Sequence, residues 1–158
     1  MTPRLPILAL ALLTAACATQ RERDLAAGVP VACAGGAAGP MVGDWRLSAF
    51  DGEPLTLMRM SLNAEERGFG GAMICNGYGT SGPADLASHY AVADGRLVVA
   101  GEVAHTASYC GDMRFMFIEA SYLSILQSEP HVARLDDRLC LFDDDGRSLE
   151  FVLVDGAR

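Results

Sequence analysis

The sequence predicts an α+β domain in which a curved antiparallel β-sheet, partly barrel-like, packs on a single α-helix. Three observations lead there. Alternating apolar and polar runs, separated by Asp-Gly and Asp-Asp turns, recur from Gly43 to Val154, which is the period-two signature of half-buried strands. The period changes to three and four between Asp112 and Pro130, which is helical spacing. Cys75 closes an apolar strand-like run and Cys110 stands just before that helix, so a bond between them would tie the sheet to the helix that covers it.

Composition bounds the rest. A chain of 158 residues, 51% hydrophobic and 20% charged, suffices for one domain with its own core and is short for two. All twelve Lys+Arg residues are arginine, and against twenty acids they give a formal charge of -8. Phosphate contacts need a cationic face, and no arginine cluster lies along any candidate element, so nucleic acid is set aside as a partner.

The N-terminus reads as a secretory signal over residues 1–16: Met1-Thr-Pro-Arg4, the apolar run Leu5 to Leu13, then Thr14-Ala-Ala-Cys17. The apolar run is too short for a permanent span. It resembles the lipobox of bacterial lipoproteins, with lipidation at Cys17, although Thr14 stands three before the cysteine and Leu13 is displaced. The residues leave a second reading open, ordinary cleavage around Ala16-Cys17-Ala18 and a soluble periplasmic protein. The lipoprotein resemblance implies a membrane anchor at Cys17 and, because Ala18 follows it, sorting to the periplasm-facing outer membrane. Residues 17–42 are Ala- and Gly-rich and are expected to form a flexible tether with little to bury. An oxidising compartment makes the four remaining cysteines disulfide candidates. Three connectivities are open. Cys75 with Cys110 is preferred, which leaves Cys33 with Cys140 as a second bridge that would mainly pin the tether.

The folded domain is expected over 43–158. Gly43 to Phe50 puts Trp45, Leu47 and Ala49 on one face and ends in the turn residues Asp51-Gly52. Leu55 to Leu62 is a second strand with Thr56, Met58, Met60 and Leu62 sharing a face. Phe69 to Ile74 is a third, whose Gly70 and Gly71 suggest a bulge or close backbone approach. The stretch Asn76-Gly-Tyr-Gly-Thr-Ser-Gly-Pro83 reads as a loop, since no lysine follows with phosphate-loop spacing. Tyr90 to Val92 and Leu97 to Val99 around Asp94-Gly95 form a hairpin, and Glu102 to Thr106 a further strand.

The helix then carries Met113, Met116, Phe117, Ala120, Leu123 and Ile125/Leu126 on its apolar face, with Glu119 and Ser121 off it and Asp112 as cap. Strands at His131 to Leu135, Arg138 to Phe142 and Ser148 to Val154 close the chain. Leu139 and Leu141 face one way and Cys140 the other, away from the helix-packed core, where a segment bearing Cys33 could reach it.

Taken in order, Trp45-Arg-Leu47 to Asp51-Gly52, Gly71-Ala-Met-Ile-Cys75-Asn76, the Leu97 hairpin, Thr106 four before Cys110, and Glu119-x-x-Tyr122-Leu123 resemble the META domain, the HslJ-like lipoprotein family, across about Gly43 to Val154. The resemblance implies a small α+β fold, envelope lipoproteins, and for some members a tie to heat-shock or stress response. Its motif positions here are Trp45, Asn76, Thr106, Glu119 and Tyr122, with Cys75 and Cys110 at the cysteine positions. The loop after Asn76 is longer than usual, and Ser88 stands where the family often has glycine.

Nothing in the sequence assembles a catalytic set. His89, His105 and His131 lie on separate elements with no short-range ligand pair. Asp143-Asp-Asp-Gly146 lacks the spacing of a calcium loop and reads as a hairpin turn. Oxidised cysteines offer no thiolate nucleophile, and the Met58/Met60 and Met113/Met116 pairs read as core filling. The expectation is a monomeric, non-enzymatic envelope protein without metal or cofactor, with an envelope protein as candidate partner. The alternative is a small-ligand carrier with a cavity between sheet and helix, and an enzyme ranks last.

Overall fold

Trp45, Leu47 and Ala49 are buried along β1 (Gly43–Phe50) while Asp44 and Arg46 face solvent, as the alternation requires. A computed structural model describes residues 20–63, 68–80 and 90–154 of the chain. The other strands are β2 (Glu53–Pro54), β3 (Arg59–Leu62), β4 (Phe69–Ala72), β5 (Gly77–Thr80), β6 (Tyr90–Ala93), β7 (Arg96–Val99), β8 (Val103–His105), β9 (His131–Leu135), β10 (Arg138–Phe142) and β11 (Ser148–Leu153). Two helices, α1 (Gln20–Ala26) and α2 (Met113–Gln127), and a 3-10 turn at Val31–Cys33 complete the described residues. None of these helices is long and apolar enough to cross a membrane.

The strands form one antiparallel sheet in the order β6-β7-β9-β10-β11-β1-β3-β4-β5-β8, with β2 pairing back on β1. Seven steps across a flat sheet would separate β4 from β6 by about 34 Å. Yet the rings of Phe69 on β4 and Tyr90 on β6 lie 6.4 Å apart. The sheet therefore curls into a half-barrel, and α2 fills its concave side through Tyr122, Leu123, Ile125 and Leu126. Close strand packing helps: a Cβ on Gly71 would collide with the Arg59 carbonyl oxygen, as the paired glycines suggested.

The hairpin at Asp94-Gly95 forms, with positive φ at both turn residues (50° and 76°), as a type I′ turn needs. Asp112 caps α2 by accepting from the Arg114 amide at 2.9 Å. The Asp143 carboxylate gathers the amides of Asp145 and Arg147 and the Arg147 guanidinium, so the acidic run is a turn.

Four expectations need correction. First, the second strand starts at Arg59, and Thr56 is exposed. The tight turn at Asp51-Gly52 spends Glu53 and Pro54 on pairing with β1, and the chain must then cross over before rejoining. Second, Gly77–Thr80 of the Gly-rich stretch after Asn76 form β5, hydrogen-bonded on both sides to β4 and β8; the rest of that stretch, residues 81–83, lies outside the described residues. Gly79 lies against Gly70, so strands without side chains at this crossing can approach closely.

Third, the helix turns a different face inward. Glu119 is buried, whereas Met113, Phe117 and Ala120 are exposed, so Met113 does not fill the core. Fourth, the segment expected to be a tether buries a good deal: Cys33, Ala34 and Met41 are buried, and the domain boundary expected at Gly43 falls inside the packed unit. Cys33 joins Ala133, Cys140 and Phe142 in a second apolar cluster. A disulfide partner and a β-bridge between Ala37 and Arg134 hold this segment down, which its own composition does not disclose. Cys17, Ser88 and His89 lie outside the described residues.

Candidate functional site

The turn between β4 and β5 carries Cys75 and Asn76, and three elements converge on it. Glu119, on the buried side of α2, accepts at Oε1 from the amides of Cys75 (2.6 Å) and Asn76 (3.2 Å) and at Oε2 from the Asn76 side-chain amide (2.6 Å). The other end of Asn76 reaches the strand-to-helix connection. Its Oδ1 accepts from the Thr106 hydroxyl (3.0 Å) and the Ser108 amide (2.7 Å), and its Nδ2 also donates to the Ser108 carbonyl (3.2 Å). The Thr106 hydroxyl in turn accepts from the Gly77 amide (3.1 Å).

A carboxylate with three donors aimed at it tolerates burial, because hydrogen bonding replaces the lost hydration. This is why Glu119 sits inside despite its place in the helical period. Among the described residues no buried side-chain nitrogen or oxygen lacks a partner.

The same turn is covalently fixed. Cys75 and Cys110 are joined with Cα atoms 5.6 Å apart, and Cys33 and Cys140 are joined with Cα atoms 6.1 Å apart. Both preferred pairings are therefore present. The sulfurs of Cys75 and Cys110 and a Glu119 oxygen lie within 4.8 Å of one another, a spacing that would suit a cation. With the sulfurs bonded to each other there is no thiolate to coordinate one.

Beneath this network two tyrosines meet. Tyr78 on β5 and Tyr122 on α2 are both buried, with their hydroxyls 2.7 Å apart, and the Tyr78 hydroxyl also lies 3.3 Å from the Arg59 carbonyl. Their rings pack edge-on at 5.5 Å, and Tyr122 stacks similarly against Phe151 at 6.4 Å. Burial is the main cause that pushes both phenols well above the usual tyrosine range. Sequence reading missed Tyr78 because its strand was read as a loop; the Gly-Tyr-Gly alternation of Gly77 to Gly79 was the available signal.

Trp45 lies apart from this cluster, as a core residue. It is fully buried, its indole N–H donates to the Met41 carbonyl at 2.6 Å, and the Arg134 guanidinium carbon sits 5.3 Å from its ring centre. The motif positions thus divide: Asn76, Thr106 and Glu119 form one network, Tyr122 pairs with Tyr78, and Trp45 holds the Met41 carbonyl within the same apolar core as the tyrosines.

Neither His105 nor His131 enters the network. His131 contacts Asp144 at 2.9 Å, which together with Arg96 holds the Asp144 carboxyl below its usual range. A hollow of about 150 Å³ beside Glu119 is lined by Met73, His105, Thr106, Met116 and Leu123. A depression of about 490 Å³ lies over the glycines of β4 and β5 and opens broadly to solvent.

The sequence profile of the META domain matches residues 40–156. The chain belongs to the META domain family. Two solved structures share the fold. One, described as the NMR structure of a protein, is 20% identical with a TM-score of 0.56, covering 73% of this chain and 92% of that one. The other, an NMR structure of a protein from Burkholderia xenovorans, is 25% identical with a TM-score of 0.55, covering 72% of this chain and 83% of that one. No curated protein matches the sequence. The META match begins at Pro40, just before Met41, so the family unit includes the residue that holds the Trp45 indole.

Proposed function

We propose that this META domain is a non-enzymatic recognition module of the cell envelope, anchored by lipid at Cys17 and presenting an apolar strip of α2 to an envelope protein partner, in a stress-related role. One observation carries the reading. Met113 and Phe117, one helical turn apart, are 55% and 67% exposed, and Tyr109 on the segment leading into the helix is 69% exposed. Large apolar side chains clustered at a surface are the usual mark of a partner site. The underlying network supports the same view: the disulfide, Asn76 and Glu119 pin the connection that carries Tyr109, so the surface is held in place. Two disulfides fit an oxidising compartment.

The carrier reading has less support, because the hollow between sheet and helix falls below the usual size of ligand pockets. The polar groups gathered at Asn76 are engaged with one another, which favours a structural over a catalytic role.

A photo-crosslinking amino acid at Phe117, with Arg138 as an exposed control, tests the partner in cells. A discrete adduct at 117 and none at 138 is the expected result; equal or absent adducts overturn it. Intact mass tests the anchor. A chain that starts at Ala18 or later and bears no acyl mass removes Cys17 from the account.

A further inference from the structure

The anchor site and the domain are close in sequence, and the structure leaves little slack between them. Only Ala18 and Thr19 separate Cys17 from Gln20, so the three steps between them reach about 10 Å. From α1 onward the chain is held: Asp24 accepts from the Gly35 amide at 2.7 Å, its carbonyl accepts from the Val29 amide at 2.9 Å, and buried Cys33 is bonded to Cys140. Ala37 then bridges to Arg134, whose guanidinium donates to the Pro40 carbonyl.

This stapled segment covers one face of β9 and β10. Cys140 points into it, whereas Leu139 and Leu141 on the same strand point into the core shared with α2. Anchor segment and helix therefore lie on opposite faces of the sheet. The stapled segment also exposes Leu25 (41%) and Val31 (65%), with Arg21 and Arg23 exposed on α1.

We propose that the segment Gln20–Cys33 is a bilayer-docking face, which seats the domain on the membrane and directs the apolar strip of α2 away from it. This rests on the reading of Cys17 as a lipid anchor. A bilayer is the occupant because the acyl chains begin within about 10 Å of α1. Apolar side chains such as Leu25 and Val31 enter the headgroup boundary while arginine stems snorkel to phosphates. The cysteine pair 33–140 then sets orientation as well as stability, since it removes the free stalk that would let the domain tumble.

The test uses the acylated full-length lipoprotein in vesicles of phosphatidylcholine and phosphatidylglycerol with brominated acyl chains, comparing Val31→Trp with Phe117→Trp. Both positions are exposed, and the buried native Trp45 contributes equally to each. Bromine quenching should be at least roughly twofold greater at 31, which would lie near the acyl boundary. Equal quenching, or greater quenching at 117, on protein whose mass shows acylation overturns the docking face alone. Absence of acyl mass at Cys17 overturns the anchor reading and the docking face with it, so the two failures are told apart.

Discussion

Glu119 on α2 accepts the Cys75 amide at 2.6 Å, so the helix holds the strand end that carries the disulfide. The carboxylate also takes both the backbone and the side-chain amide of Asn76. Glu119→Gln puts an amide donor among three donors and should cost about 1–3 kcal/mol, with Glu119→Ala costing more. Urea denaturation measures both. Because Asn76 and Glu119 share one network, a double Ala mutant should deviate from additivity by more than about 0.5 kcal/mol. Additive losses would mean that the two act independently.

The disulfides should rank in an order that the sequence reading reversed. Cys75–Cys110 closes a separation of 35 residues and Cys33–Cys140 one of 107, for which loop entropy gives roughly 4 and 5 kcal/mol. Cys33 and Cys140 are moreover wholly buried. Cys33→Ala or Cys140→Ala should therefore lower the melting temperature at least as much as Cys75→Ala or Cys110→Ala. Each double mutant should match its singles, since one bond is shared. Free thiols in a non-reducing peptide map would contradict the pairing.

Trp45→Ala should cost about 3–5 kcal/mol, because it leaves a large cavity and deprives the Met41 carbonyl of its donor. The native indole should resist aqueous quenchers; ready quenching would place it outside the core.

Stability should fall at alkaline pH. Tyr78 and Tyr122 have folded pKa values raised above the unfolded one, so the folded state keeps protons that the unfolded state releases above about pH 10. Their contribution is complete below that pH and is lost as pH rises toward the folded values, at up to about 1.4 kcal/mol per pH unit for each phenol. Melting temperatures followed with phenolate absorbance should show the loss. In Tyr78→Phe/Tyr122→Phe the alkaline slope should become shallower, and an unchanged slope would assign it to other groups.

The chain's alternation was enough to place β1, the Asp94-Gly95 hairpin, the last three strands, the Asp112 cap and the outward turn of Cys140, because each depends on neighbours within a few residues. Motif order identified the family. The sequence left three cysteine connectivities open and favoured Cys75 with Cys110; the structure contains that bond together with the remaining pair, Cys33 with Cys140.

Tertiary structure decided the rest. A period of 3.6 shows that α2 has two faces, but which face is covered depends on partners elsewhere in the chain. Glu119 is drawn in by donors on the β4–β5 turn, more than forty positions away, while Phe117 stays exposed among the described residues. Gly77 to Thr80 became a strand because β4 and β8 supply hydrogen bonds on both sides, which outweighs the poor strand propensity of glycine. Residues 29–41 look like a linker by composition and are packed because Cys140 and Arg134, distant in sequence, hold them. Local pattern fixes what an element can be; long-range burial and hydrogen bonding fix which side of it meets the core.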